Sequence, residues 1–210
     1  NEFLRGNTSG PAMTQEMMEG LSLLCMIMEL KCAFPEFFHV LKGNHENILN
    51  KTGNGDFSFC KFANEGEMVK LFMEEKYGDE VLYVISCFEK SLPLAAAFPE
   101  CIISHAEPLR AFSRQEIIDG LKNGETVKGL TWTENNKAKA GGVEAMLCTL
   151  TGRKDFLNAR YIAGHRPVKE NYALRQNGYF VQIHNPDRQN IALVHADRVF
   201  NPEKDIVCVE

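Results

Sequence analysis

Three apolar runs in this chain end alike, and that repetition constrains its fold more than any other sequence feature. "EFFHVLKG" leads into Asn44, His45 and Glu46, "ECIIS" leads into His105, and "RYIAG" leads into His165. Each run is short and rich in aromatic or β-branched residues, so each is predicted to be a strand. A glycine or serine follows, and then a histidine at the exit. In layered α/β proteins, ligands bind where strand ends turn into loops. For one such histidine, a hydrogen-bonded loop residue is the simpler reading. Three with the same exit, with Asn44 and Glu46 beside the first, favour a site. Neutral imidazole is the commonest metal ligand, and an amide carbonyl suits a divalent ion that takes oxygen. Glu107 beside His105 and Arg166 beside His165 are the nearest polar additions. Arginine suits a phosphate, but it is equally at home in a surface ion pair. His39 reads as a face residue of the first strand, and His184 and His195 as residues beside hairpin turns.

Around these runs the elements are mixed. Met13, Met17, Leu21, Leu24, Cys25 and Met28 recur at helical spacing, which predicts a helix over 12–33 with Thr14 as N-cap. Residues 51–60 are glycine-rich and polar, hence a loop, and 65–77 look helical. Residues 79–92 fit a strand by propensity and a short helix by length. "LPLAAAF" and "ECIIS" read as two short buried strands, and Ser113 with Glu116 forms a capping box opening a helix over 114–122. A glycine- and lysine-rich loop holding Trp132 follows. Asn177-Gly178 and "NPDRQ" predict two successive hairpins near the end. Helices and strands mixed first, with strands clustered last, suggest an α/β or α+β layered domain spanning 1–210.

Composition narrows the function. The net charge of −5 argues against a partner recognised by neutralising nucleic-acid phosphates. No apolar run approaches the ~20 residues that cross a bilayer, and no secretory signal is evident, so no membrane role and a cytoplasmic location are expected. The seven cysteines are scattered without a C-x-x-C pair, which predicts reduced thiols. Cys25, Cys87 and Cys101 lie in apolar stretches and are expected to be buried.

"GNHEN" (43–47), "ISHAEP" (103–108) and "AGHRP" (163–167), in this order, resemble three signature blocks of the PPP-type, calcineurin-like metallophosphoesterases. "FPEFFHVLKGNHE" and "CFEKSLPLAAAFPECIISHAEP" are similar to the family text before the first two blocks, so the resemblance covers most of 12–185. It implies a metallophosphoesterase β-sandwich flanked by helices, with two divalent ions (Mn, Fe or Zn) at one edge. It implies that Asn44, His105 and His165 are metal ligands and that His45 is the acid that protonates the leaving oxygen. The implied activity is hydrolysis of phosphate monoesters, of phosphoproteins at Ser/Thr or Tyr, by a metal-activated water. "HAEP" departs from the H-G-G of eukaryotic serine/threonine members and looks more like the bacterial-type and plant Rhizobiales-like branches, some of which prefer phosphotyrosine.

Two family blocks, D-x-H and G-D-x-x-D-R-G, supply acidic ligands and do not occur here. "NEFLRG" resembles the end of the second, with Arg5 as a phosphate clamp beside Arg166, but Leu4 and Asn1 stand where acids are expected. The chain begins with Asn1, so it is expected to be N-terminally incomplete. Two alternatives stay open: a small-molecule or dinucleoside polyphosphate hydrolase, and a non-catalytic metal-binding module of the same fold.

Overall fold

The computed structural model describes residues 10–61, 64–152 and 156–209. They divide into two compact units, one of residues 10–40 with His45–Leu92, the other of Leu41–Asn44 with residues 93–209.

The first unit is built on two long helices. Helix α1 runs over Pro11–Ala33. Its N-cap is Gly10 rather than Thr14, whose own N–H already donates to the Gly10 carbonyl at 3.0 Å. Pro11 explains the earlier start: its fixed φ suits the first helical turn, and it lacks the N–H that would have no partner there. Helix α2 runs over Glu65–Ser91, which resolves the ambiguous 79–92 segment as helix. Gly78, at φ 79 and ψ 171, kinks it. Leu21 and Leu24 of α1 pack against Met73, Leu82 and Ile85 of α2. Apolar residues occur around more than one face of α1, so the predicted stripe does not bury all of itself, and Cys25 and Cys87 are exposed; of the three cysteines expected inside, only Cys101 is buried. All seven thiols are free. Loop 51–60 carries a single bridge, Gly53 with Asp56.

The predicted strand over 36–43 does not form. Phe37 is 86% exposed, and Phe38 donates its N–H back to Phe34 to close a turn. Aromatic content raised the strand propensity, but propensity measures fit to a sheet surface, and among the described residues no strand pairs with this run. Lys42 is tied in, its N–H donating to the Pro93 carbonyl at 2.9 Å.

The second unit carries a five-stranded sheet and a two-stranded one. β1 (Ala95–Ala97), β2 (Cys101–Ser104), β3 (Arg160–Ala163), β4 (Ala173–Arg175) and β5 (Phe180–Gln182) lie in the order β1-β2-β3-β5-β4. β2, β3 and β5 are mutually parallel, and the two edges are antiparallel. The β2–β3 connection is a helical crossover, as parallel neighbours require. It holds α3 (Arg114–Ile118), α4 (Gly124–Thr131) and α5 (Gly142–Leu150). Ser113 and Glu116 make the expected capping box, although the helix passes into a 3-10 turn at Gly120–Lys122. α4 and α5 lie where a loop was expected; Asn123 caps α4 by accepting the Glu125 N–H, and Trp132 ends it.

Period-two alternation divides the sheet faces. Ile102, Tyr161, Ala163 and Phe180 face α4 and α5, packing on Val127, Leu130, Met146 and Leu147. Cys101, Ile162 and Val181 face the other way, against Phe200 and Ile206. The hairpin β4–β5 forms as predicted, around Gln176 and Asn177 at φ 47 and 57. The second predicted hairpin does not. β6 (Gln189–Ala192) pairs instead with β7 (Ile206–Val209), which follows the short helix α6 (Pro202–Asp205). "NPDRQ" closes only an isolated bridge, Asn185 with Arg188.

Asp205 fastens α6. It is 1% exposed, takes the Arg198 guanidinium in a fork, and accepts the Asn201 N–H at 2.7 Å. The Arg198 contact first, and the Asn201 N–H with it, outweigh burial and push the carboxyl down to about 2. A depressed carboxyl stabilises the fold above its unfolded value and loses that contribution as pH falls through the folded one. Asp205→Asn should therefore cost roughly 1–2 kcal/mol at neutral pH, allowing for solvent screening at Arg198. In urea melts, the gap between the variant and the parent should close between about pH 4 and pH 2.

Candidate functional site

Two of the three histidine exits come from neighbouring parallel strands. Ile103 of β2 and Ile162 of β3 are paired, so both strands deliver their next residues at the same edge. The Gly164 N–H donates to the His105 carbonyl at 3.0 Å and carries the pairing one step past the strands. There His105 Nε2 lies 3.1 Å from His165 Nδ1, with ring centroids 5.0 Å apart. The third member is Asn44, held in the same unit by the short segment Leu41–Asn44. Its Oδ1 lies 2.7 Å from His105 Nε2, and the residue is buried.

The turns below these side chains are built, not incidental. Under His105, the fully buried Tyr161 hydroxyl donates to Ser104 Oγ at 2.8 Å, and Ser104 donates to the Ala106 carbonyl at 2.6 Å. Burial pushes the Tyr161 phenol far above its usual range, so it stays a donor. At β3, Arg166 donates its N–H to the Gly164 carbonyl at 2.7 Å around His165, whose φ is 61. This is a γ-turn with positive φ, the rarer and strained hand. Strain of that kind persists only where the surroundings enforce it.

The donor set suits a divalent ion. Ligands at ~2.1 Å from a metal lie about 3.0 Å apart when their bonds are at right angles. The separations of 2.7 and 3.1 Å match that spacing. Two imidazole nitrogens and one amide oxygen are borderline ligands of the kind Mn, Fe and Zn accept. No carboxylate joins them: among the described residues, no group of three His, Cys, Asp or Glu side chains is set to hold a metal.

His45 follows Asn44 in the chain and belongs to the helical unit. There its ring lies 3.9 Å from that of Phe59, centroid to centroid. Desolvation lowers its pKa, with Lys61 adding and Glu46 and Glu65 opposing. Arg166 pairs with Glu134 at 2.9 Å, both side chains partly exposed. Arg5 lies outside the described residues. His39 Nε2 lies 3.1 Å from the nearby Glu36 carbonyl, and His184 and His195 are exposed. Gln182, Arg175 and Gln176 were not singled out in the sequence, yet Gln182 donates to the Arg166 carbonyl at the His165 turn, and Arg175 and Gln176 link it to Glu107. A buried polar residue in a strand that should be apolar was the available signal, and Gln182 is 2% exposed.

No protein-family model matches this chain, and no curated protein matches it in sequence. Among solved structures that match is a protein serine/threonine phosphatase from Saccharomyces cerevisiae with similarity to human phosphatase PP5. The two superpose with a TM-score of 0.57 at 16% identity, over 90% of this chain and 64% of that one. The chain thus spans less than two thirds of that structure. At this identity the likeness is one of architecture: the mixed sheet with its flanking helices is a PPP phosphatase-like fold.

Proposed function

We propose that this protein is a metal-dependent phosphatase that hydrolyses phosphate monoesters of phosphoproteins. The observation that carries the reading is the meeting of Asn44 Oδ1, His105 Nε2 and His165 Nδ1. These residues would hold one of two divalent ions, Mn, Fe or Zn. Bound divalent ions at such a site supply an acidified water and neutralise phosphoryl charge.

The chain's own residues do the rest. His45 gives a proton to the leaving oxygen, a step worth 10²–10⁴-fold when well placed. Its pKa is lowered in the free protein, and the negative charge of an arriving ester raises it again. Arg166 turns from Glu134 to the phosphate; a partly exposed pair of that kind is worth only ~0–1 kcal/mol, so exchange is easy. Arg5 is assigned to the phosphate on its resemblance to the family block alone.

The lack of a carboxylate beside the triad among the described residues favours a second reading, a non-catalytic metal-binding module. One panel separates the possibilities. 4-Nitrophenyl phosphate, phosphoserine and phosphotyrosine peptides and a dinucleoside polyphosphate are offered with Mn²⁺, then with chelator. Metal-dependent release of phosphate, fastest from a peptide, is expected. Faster turnover of the dinucleoside polyphosphate would make it a small-molecule hydrolase. Bound metal with no turnover of any ester would favour the module.

A further inference from the structure

A partly buried polar chain runs from the His105 turn to the His165 turn through two other strands. Glu107, two residues past His105, is 3% exposed. Its Oε2 lies 2.8 Å from Arg175 Nη2, and its Oε1 accepts from Gln176 Nε2 at 2.7 Å. Arg175 Nη1 donates to Gln182 Oε1 at 3.4 Å, and Nη2 to Asn136 Oδ1 at 3.3 Å. Gln182 Nε2 then donates to the Arg166 carbonyl at 2.6 Å.

The polarity runs one way along this chain. The carboxylate pairs with the guanidinium by charge, without hydrogen-bond geometry, and the guanidinium donates to the amide oxygen, which leaves the amide N–H₂ toward Arg166. That carbonyl belongs to the residue closing the γ-turn around His165. The other end grips Gln176, itself at φ 47 in the β4–β5 turn. Two backbone turns with non-glycine residues at positive φ are thus tied to one ion pair. A buried ion pair is weak support for stability in general, and its best-attested use is to fix one arrangement among several. Here the arrangement fixed is the convergence of two imidazoles.

We propose that Glu107, Arg175 and Gln182 are positioning residues that hold the 105–107 and 164–166 turns in the register where His105 and His165 meet. The inference rests on the metal-site reading for its consequence, not for its geometry. Groups that orient metal ligands from behind typically change metal affinity 10–100-fold when removed.

The test compares Gln182→Met, which keeps length and loses both hydrogen bonds, with Asp205→Asn, a destabilising change at α6. Arg175→Lys is the milder second variant: a point charge keeps Glu107 paired but cannot span to Gln182 as well. Two signals are read: Mn²⁺ affinity by calorimetry, and the ring-to-ring nuclear Overhauser effect between His105 and His165 in metal-free protein. Gln182→Met should weaken Mn²⁺ binding 10–100-fold and lose the ring contact, Arg175→Lys should weaken it several-fold, and Asp205→Asn should change neither. If Gln182→Met and Arg175→Lys keep the contact and the affinity, or lose no more than Asp205→Asn does, the positioning role is overturned. If the parent binds no Mn²⁺ yet Gln182→Met still abolishes the contact, the positioning role stands and the metal reading falls.

Discussion

Replacing His105 with alanine is expected to remove both metal and turnover. His105 is the common vertex of the triad: its Nε2 touches Asn44 Oδ1 on one side and His165 Nδ1 on the other. Without it the remaining donors lose the nitrogen that both approach. Loss of kcat/KM by 10³-fold or more is expected, at least about 4 kcal/mol of transition-state stabilisation. The fold should survive, because the turn is held by Ser104, Ala106 and Tyr161 rather than by the imidazole. Circular dichroism should match the parent while metal content falls. Activity within tenfold of the parent, at equal metal content, would remove His105 from the site.

The second large effect is expected at His45, and it should depend on the leaving group. An acid matters most where the departing oxygen is a poor leaving group, and little where it leaves as a stabilised aryl oxide. His45→Ala should therefore lose 10²–10⁴-fold on a phosphoserine peptide and far less on 4-nitrophenyl phosphate. Its metal content should stay at the parental level, since Asn44, His105 and His165 are untouched. Equal losses on both substrates, or a fall in bound metal, would count against a proton-donor role. The split between substrates separates His45 from His105, whose loss should affect both alike.

Much of this site was legible from local sequence because of where strands end. "ECIIS" and "RYIAG" are both true strands, and parallel pairing of Ile103 with Ile162 carries His105 and His165 to one edge. The run before Asn44 misled: "EFFHVLKG" has strand composition, but among the described residues no strand pairs with it, and Asn44 arrives on a segment tied at Lys42. The second hairpin failed for a related reason. "NPDRQ" has good turn chemistry, but the residues after it pair with Ile206–Val209, and register across the chain overrode the local signal. Helices α4 and α5 were hidden by glycines and lysines, whose low propensity or exposure masked Val127, Leu130, Met146 and Leu147 on one buried side. Glu107 could be picked out beside His105. Its partners could not, because Gln176 is 69 residues away and the contact exists only after β4 and β5 have added to the sheet.

Asn44, His105 and His165 are expected to bind one divalent ion. Crystals grown with Mn²⁺ or Zn²⁺, and an anomalous difference map at the metal's edge, test it most directly. The expected result is a single strong peak about 2.1 Å from Asn44 Oδ1, His105 Nε2 and His165 Nδ1, with any further ligands completing its sphere. A map with no peak there, and the Asn44–His105–His165 contacts still closed on one another, would contradict it.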